Sequence, residues 1–598
     1  MLFIASQFII NSFPSSCVAV EYACYSKMRN ISFTTVFVSS LALSYPVTKA
    51  SDSTYPSVFL RVYGTNLLLW TIYHFLLYPN LFSPLRNIPT VDGNAWWSRQ
   101  SMRIITETKG IPQSDWVEKV PHQPHGLVRY RNILNQERVI VASPEALAEV
   151  LTTKSYHFRK PEFVVNALKP IAGAGILLAE GDVHKQQRKT LLPAFAYRHI
   201  KDLYGLMWEI SSHGVTSLTE AVAAESKTGQ PHTLDMMQWA SKITLDIIFV
   251  GGMGQSLDSV LDEDKTYTAL RQIYKTVFSQ TRADILLFFL RMWVLPIWLA
   301  KRVPLKRNIE LQQAAQSLRD ICRGLIRQKK SDLESEVADK REKDILTVAL
   351  NYGGFTEDEL VEQMLTFLAA GHETTATALT WAIYVLSKNP EMQAKLREEI
   401  RIQLPSPSTS SPPKTDELAT VIDNNMPYLQ AVCLEVLRYF SPVPLTSREA
   451  AVDTSINGVP IPAGTQLIIA PRATNHDVSL WGHDAQVFNP DRYLSQPKRA
   501  QVDLLDDNAM HSGEGSNKNT GTRSNYATLT FLHGPRSCIG QSFSRAELAI
   551  LLATLVGRFE FALVDESLKD ETKLKLRNGA TNRPANGLDV KVRLVEGW

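Results

Sequence analysis

Apolar positions crowd the front of the chain. From Ser57 to Tyr78 (SVFLRVYGTNLLLWTIYHFLLY) they occupy every face of a helix, over about the 20 residues that a bilayer crossing needs. Arg61 near one end can snorkel, Trp70 and the tyrosines suit an interface, and Pro79 and Pro84 follow as stops. The pattern predicts a membrane-spanning anchor over 57–78; a buried core helix is the alternative. Upstream, within an extension of residues 1–56, Met1–Val20 and Ile31–Thr48 are also apolar but rich in serine and threonine. The first lacks a basic start, and neither reads as a clean signal peptide. Either is a second crossing or sequence ahead of a wrongly chosen start codon. Asn30-Ile31-Ser32 is a glycosylation sequon, usable only if that loop faces a lumen.

Beyond the anchor, residues 79–598 read as one large domain, mainly helical with short strand-like runs at Arg138–Ala142 and Gln466–Ala470. Thr356-Glu357-Asp358-Glu359 is a capping box that opens a helix running to about Lys388, where Asn389-Pro390 starts the next. Thirty-odd residues at about 1.5 Å each span nearly 50 Å, enough to cross a domain. A second helix is predicted over Gln541–Val556, with Leu548, Leu551, Leu552 and Leu555 apolar and Gly557 as its cap. Pro405–Thr415 is a Pro/Ser-rich loop, and Ser495–Ser524 is a polar insertion. Ala283–Ala300 is apolar but carries Arg291 and Pro296, which suits a surface dipping into lipid or a lipophilic channel mouth. No repeat of 20–50 residues suggests a solenoid.

Composition narrows the class. Lys+Arg 63 against Asp+Glu 60 leaves +3, and no basic run is long enough for nucleic acid, so no such partner is expected. A hydrophobic share of 44% against 21% charged excludes a disordered chain. The five cysteines (Cys17, Cys24, Cys322, Cys433, Cys538) are odd in number and scattered, which excludes a disulfide framework or paired zinc motif. Any special cysteine acts alone.

Cys538 is the candidate. It stands in Phe531-Leu532-His533-Gly534-Pro535-Arg536-Ser537-Cys538-Ile539-Gly540, just ahead of a helix N-terminus. The macrodipole, free backbone N–H groups and the nearby Arg536 favour thiolate. Gly534 and Pro535 make a turn, and Gly540 permits close backbone approach. This segment resembles the haem-binding loop of the cytochrome P-450 superfamily, F-x-x-G-x-R-x-C-x-G, at every defined position. The resemblance implies that Cys538 is the axial thiolate of a haem iron (haem b, iron protoporphyrin IX), with Phe531 near the sulfur and Arg536 on a propionate.

The long helix carries Ala370-Gly371-His372-Glu373-Thr374-Thr375 at its centre. A mid-helix glycine costs about 1 kcal/mol, and threonines can bond back and bend the helix. A local rule broken inside a good helix suggests a functional site. The segment resembles the family's [AG]-G-x-[DE]-T-[TS] oxygen-activation motif, in which the helix is distorted. That implies a hydrogen bond from Thr374 to the dioxygen at the iron and a proton relay through Glu373, with His372 packed or exposed and not a ligand. Glu435-Val436-Leu437-Arg438 and Phe488-Asn489-Pro490-Asp491-Arg492-Tyr493 together resemble the E-x-x-R pair and P-x-R-F loop. There, Glu435, Arg438 and Arg492 form a buried ion triad, and Tyr493 replaces the commoner Phe. Gly181–Arg188 resembles W-x-x-x-R with His184 in place of Trp, implying that Arg188 and His184 reach a propionate; Arg448 after Pro442-Val443-Pro444 matches another such position.

The likeness covers nearly everything from 85 to 598 except the 495–524 insertion. It implies a cytochrome P-450 fold behind an N-terminal membrane anchor, close in character to fungal secondary-metabolism enzymes. The expected activity is a haem-thiolate monooxygenase inserting one atom of O2 into a lipophilic small molecule, a terpenoid, polyketide-derived or fatty substrate. Phe163–Leu178 and Phe288–Trp298 are expected to line its pocket. Its electrons would come from NADPH through a cytochrome P-450 reductase, with cytochrome b5 as an optional second donor. Its expected place is the endoplasmic reticulum membrane, in contact with lipid and with the catalytic domain in the cytosol. The alternatives are a haem-thiolate isomerase, dehydratase or peroxide-dependent hydroxylase that needs no reductase, and a haem sensor. The intact Glu373-Thr374 pair argues against both.

Overall fold

In the computed structural model, the described residues are 33–51, 53–93, 100–121, 124–226, 232–254, 306–334, 344–407, 413–494 and 524–598. The strands are β1 (Leu127–Arg131), β2 (Glu137–Val141), β3 (Phe158–Arg159), β4 (His232–Asp235), β5 (Thr446–Ala450) and β6 (Thr454–Ile456). They continue with β7 (Val459–Ile461), β8 (Gln466–Ile469), β9 (Phe559–Leu563), β10 (Leu576–Asn578), β11 (Asn582–Pro584) and β12 (Asp589–Leu594). The helices that matter here begin with α1 (Phe33–Lys49), α2 (Tyr55–Ile72), α3 (Glu162–Ala172), α4 (Gly181–Leu191) and α5 (Tyr204–Ser226). After them come α6 (Met236–Met253), α7 (Lys306–Glu334), α8 (Glu357–Lys388), α9 (Pro390–Gln403), α10 (Pro427–Tyr439) and α11 (Gln541–Arg558). The chain is mainly helical with small sheets, and it divides into two compact units.

The first unit comprises 1–107, 111–159 and 446–470. Its sheet has the order β1-β2-β8-β5-β3, with β2 and β8 parallel and the other pairs antiparallel. The two strands expected from sequence are β2 and β8, each within a residue of its predicted bounds. Val139, Ile140 and Leu467 are buried there, as expected of strands inside a sheet.

The same unit holds the N-terminal hairpin of α1 and α2. Asn66 Nδ2 donates to Ser40 Oγ at 3.0 Å, and Phe37 meets Phe59 and Tyr63 edge-on. The expected crossing over 57–78 is not what the structure forms. No helix among the described residues is long and apolar enough to cross a membrane. Arg61, Gly64, Thr65 and Asn66 dilute α2, and Asn66 is spent on the hairpin. Nor does Pro79 stop the helix: Tyr73–Phe82 continues as a wider π turn, which closes with Ser83 N–H on the Tyr78 carbonyl at 2.8 Å. The stop falls at Ser83-Pro84. Met1–Val20, Asn30, Ala283–Ala300 with Phe288–Trp298, and 495–523 lie outside the described residues, as do 408–412 within the Pro/Ser-rich loop.

The second unit comprises 108–110, 160–445 and 471–598. Its axis is α8, which starts at the expected capping box: Glu359 N–H donates to Thr356 Oγ1 while Thr356 N–H donates to Glu359 Oε2. Nearly every residue of α8 from Leu360 to Leu368 and from Thr375 to Ser387 is buried against neighbouring α6, α7 and α11. α11 runs two residues further than expected. Gly557 lies inside it and does not cap it: a Cβ there would collide with the Trp598 ring and stand 2.9 Å from Ile400 Cγ2. Close packing, not a left-handed turn, requires glycine at that position.

Candidate active site

The cysteine loop is a tight fold-back. Cys538 N–H donates to the Phe531 carbonyl at 2.9 Å, and Ser537 N–H to the Gly534 carbonyl at 3.0 Å. Gly534 has φ 75°, which glycine adopts without strain, and Leu532 (φ 57°) shares that region. His533 is buried and donates a ring nitrogen to the Thr528 carbonyl; burial lowers its pKa and keeps it neutral. Cys538 itself is exposed three residues before α11 begins, whereas Cys322 and Cys433 are buried, with thiols pushed up to about 12 by desolvation.

Two arginines brace this loop from within the same unit. Arg188 of α4 donates to the Ser537 carbonyl at 2.7 Å and to Ser537 Oγ at 3.0 Å. Arg536 pairs with Glu180, which also accepts the Lys160 N–H at 2.9 Å. His184 is buried one turn before Arg188 on α4. Arg448 lies in the first unit on β5, buried, with hydrogen bonds to Thr446 Oγ1 and the Ser447 carbonyl.

The ion triad comes together and is tied to the cysteine loop. Glu435 accepts Arg438 Nε and Nη2 at 2.7 Å each, Asn489 N–H at 2.8 Å and Arg492 Nε at 3.2 Å. Arg492 also grips Asp484. Arg438 donates onward to the carbonyls of Asn475, Ala485 and Val487. Asn475 returns a bond to the Arg438 carbonyl, donates to Thr530 Oγ1 and accepts Leu529 N–H. A single buried asparagine thus joins the triad to the strand of chain that enters the cysteine loop. No motif pointed to Asn475.

On α8, a short open stripe interrupts the burial. Ala370 is exposed, and Gly371 and Thr374 are partly so. The helix is continuous here and carries back-bonds where the family resemblance implied distortion: Thr374 Oγ1 donates to the Ala370 carbonyl at 2.7 Å and Thr377 Oγ1 to the Glu373 carbonyl at 2.7 Å. A Cβ on Gly371 would stand 3.0 Å from Ile248, so this glycine also lets α6 approach. His372 is buried and gives Nδ1–H to the Leu368 carbonyl at 2.6 Å; desolvation lowers its pKa, so it sits neutral.

Glu373 is buried, and its Oε1 accepts Thr581 Oγ1 at 2.8 Å and lies 3.3 Å from Arg583 Nη1. Both partners belong to the β10–β11 hairpin and its turn. Glu547 of α11 stands beside Thr375 of α8 and is fully buried; neither carboxyl oxygen makes a well-aligned hydrogen bond. Burial pushes this carboxyl well above its usual range, and the Thr375 hydroxyl offsets only part of that. Sequence reasoning missed Glu547, Thr581 and Arg583; none stands in a pattern that separates it from surface polar residues.

A family model described as Cytochrome P450 matches residues 119–588. Among curated relatives, "Cytochrome P450 monooxygenase FUM15" of Gibberella moniliformis is 46% identical over 566 residues, covering 90% of this chain and 92% of the relative. "Cytochrome P450 monooxygenase ALT8" of Alternaria alternata is 46% identical, covering 92% and 96%. "Cytochrome P450 monooxygenase sphH" of Aspergillus fumigatus is 40% identical, covering 88% and 91%.

Proposed function

The chain belongs to the cytochrome P450 family and is a monooxygenase; from that premise we propose that Cys538 ligates the haem and that the enzyme oxidises a lipophilic secondary metabolite. The residues present fit such a group. The only exposed thiol among the described residues stands at a helix N-terminus. A Cβ on Gly540 would meet nothing nearer than Phe195 at 3.9 Å, so no neighbouring residue explains that glycine, whereas a flat prosthetic group against the loop does. Arg188, Arg536 and His184 would supply cationic and hydrogen-bonding contacts to haem carboxylates.

Bound there, the haem supplies the chemistry that activates dioxygen. The chain's own residues do the rest. Arg188 and the Phe531 carbonyl hold the loop so that the sulfur stays presented. Thr374 holds a hydroxyl on the open stripe of α8, and Glu373 one residue earlier holds a carboxylate able to pass protons inward. The buried flanks of α8 keep bulk water out.

The substrate reading rests on apolar side chains. Phe163 and Leu177 are exposed in the 163–178 segment, which is tied to α8 by Ile176 N–H on Gln363 Oε1 at 2.9 Å. The electron source on this reading is NADPH through a separate reductase, with cytochrome b5 optional. Exposed Leu60, Leu68, Leu69, Leu76 and Leu77 support attachment to the cytosolic face of the endoplasmic reticulum membrane without requiring a crossing.

The observation that carries the proposal is the exposed Cys538 thiol in its braced loop. The reduced carbon monoxide complex should show the long-wavelength Soret band of a thiolate-ligated haem, and Cys538→Ala should abolish it. A band that survives would remove Cys538 from the iron. Microsomes with the enzyme, a reductase and candidate lipophiles, followed by mass spectrometry for the gain of one oxygen atom, identify the substrate.

A further inference from the structure

Glu373 does not stand alone beside Thr374; its carboxylate is held from across the unit. Thr581 Oγ1 donates to Oε1 at 2.8 Å, and Arg583 Nη1 lies 3.3 Å from the same atom. The Glu373 side chain is 6% exposed and that of Arg583 19% exposed, so the arginine reaches from the buried acid toward solvent. We propose that Arg583, with Thr581, is a positioning residue for proton delivery, clamping the Glu373 carboxylate and setting when it is released toward the oxygen site. The inference rests on the monooxygenase reading above and deepens it.

The hairpin that carries the clamp is fixed to α8. Trp381 Nε1 donates to the Asn582 carbonyl at 2.9 Å, Asn582 N–H donates to the Pro442 carbonyl at 2.9 Å, and Asn582 Nδ2 donates to the Lys109 carbonyl at 3.0 Å. Lys109 Nζ in turn donates to the Gly579 carbonyl at 2.8 Å. With the backbone pinned on several sides, the freedom left belongs to side chains. Exchange of the carboxylate between Arg583 and the open stripe is then a rotamer event and needs no refolding of the hairpin.

The charges around the carboxylate favour this arrangement. Arg577 lies opposite Arg583 in the β10–β11 register, so two guanidinium groups share one carboxylate in their neighbourhood. His372, next to Glu373 on α8, is neutral and does not compete for it. Arg583 can therefore release Glu373 without leaving it far from any cation. Thr581 adds a neutral donor that holds the acid while the arginine moves.

The test uses holoenzyme with a reductase and NADPH and no added substrate. The readout is hydrogen peroxide released per O2 consumed, with the solvent isotope effect on oxygen consumption. Arg583→Ala should raise the peroxide fraction and enlarge the isotope effect, Arg583→Lys should restore most of the wild-type behaviour, and Thr581→Val should fall between. Arg583→Ala combined with Glu373→Gln should be no worse than Glu373→Gln alone. A double-mutant cycle in thermal unfolding of the same holoproteins should show that Glu373 and Arg583 are coupled. Multiplying effects in the double variant, or an Arg583→Ala and a Thr581→Val that both match wild type, would overturn the clamp. Loss of the thiolate Soret band in wild type is a separate result, and it strikes the functional reading instead.

Discussion

Replacing Glu435 by Ala should be among the most damaging single changes in this chain. The carboxylate and the Arg438 guanidinium are both fully buried, and the acid accepts four hydrogen bonds, three of them charge-assisted, with the two from Arg438 at 2.7 Å. Its removal leaves Arg438 with carbonyl acceptors but without its counter-charge, in a place water does not reach. Breaking a buried pair costs about 3–5 kcal/mol. The Asn489 N–H, left without its acceptor, adds about 1–3 kcal/mol. Against a total stability of about 5–15 kcal/mol, the variant should lose about a quarter or more. Denaturant titration by far-UV circular dichroism measures the shift in midpoint. The Soret band should fade earlier in the titration than the helical signal, because Asn475 carries the disturbance to Leu529 and Thr530. Replacing Glu435 and Arg438 together by methionine should cost less than Glu435→Ala, since no charge is then stranded. A loss under about 1 kcal/mol, the worth of an exposed pair, would refute the argument.

Thr374→Ala should leave the thiolate Soret band intact while raising peroxide release per NADPH; unchanged coupling would remove this hydroxyl from proton delivery. Glu547 gives a pH signature. Its folded pKa is raised, so its stability contribution is whole below about 4.5 and is lost as pH climbs toward the folded value, by about 1.4 kcal/mol per pH unit. Glu547→Gln should therefore melt higher than wild type at pH 7 and converge with it near pH 4.5; equal melting at both would mean the carboxyl is not desolvated. Gly557→Ala should cost about 1–3 kcal/mol through its collision with Trp598, and Trp598→Ala in the same chain should recover part of that loss.

What the sequence made legible was local. The capping box at Thr356 and Glu359, the i,i+3 spacing of Glu435 and Arg438, and the Gly-Pro turn ahead of Cys538 each depend on residues within a few positions of one another. Local patterns misled where a neighbour distant in sequence decides. Gly557 has the look of a cap until Trp598 is brought against it, and Pro79 the look of a stop until the chain widens into a π turn. The stretch 57–78 has the apolar content of a crossing on a count, but Asn66 is held by Ser40 of another helix, and polar positions on α2 break up the apolar face. No periodicity encodes that pairing.

The candidate site residues divide along the same line. Cys538, Thr374 and Glu373 stand in short patterns whose features lie in their immediate neighbours: a turn ahead of the sulfur, a glycine that admits α6, a hydroxyl beside an acid. The groups that govern them do not. Arg583 and Thr581 lie some two hundred residues beyond Glu373 in an unremarkable polar hairpin, and Asn475 ends a five-residue helix. Each needs only the right atom at the right place, which many residues of many loops could supply, so selection leaves no spacing to read. A positioning contact of this kind is visible only once the fold has closed, and for that reason the partners of the Glu373 carboxylate are found by geometry while Cys538 and Thr374 are found by pattern.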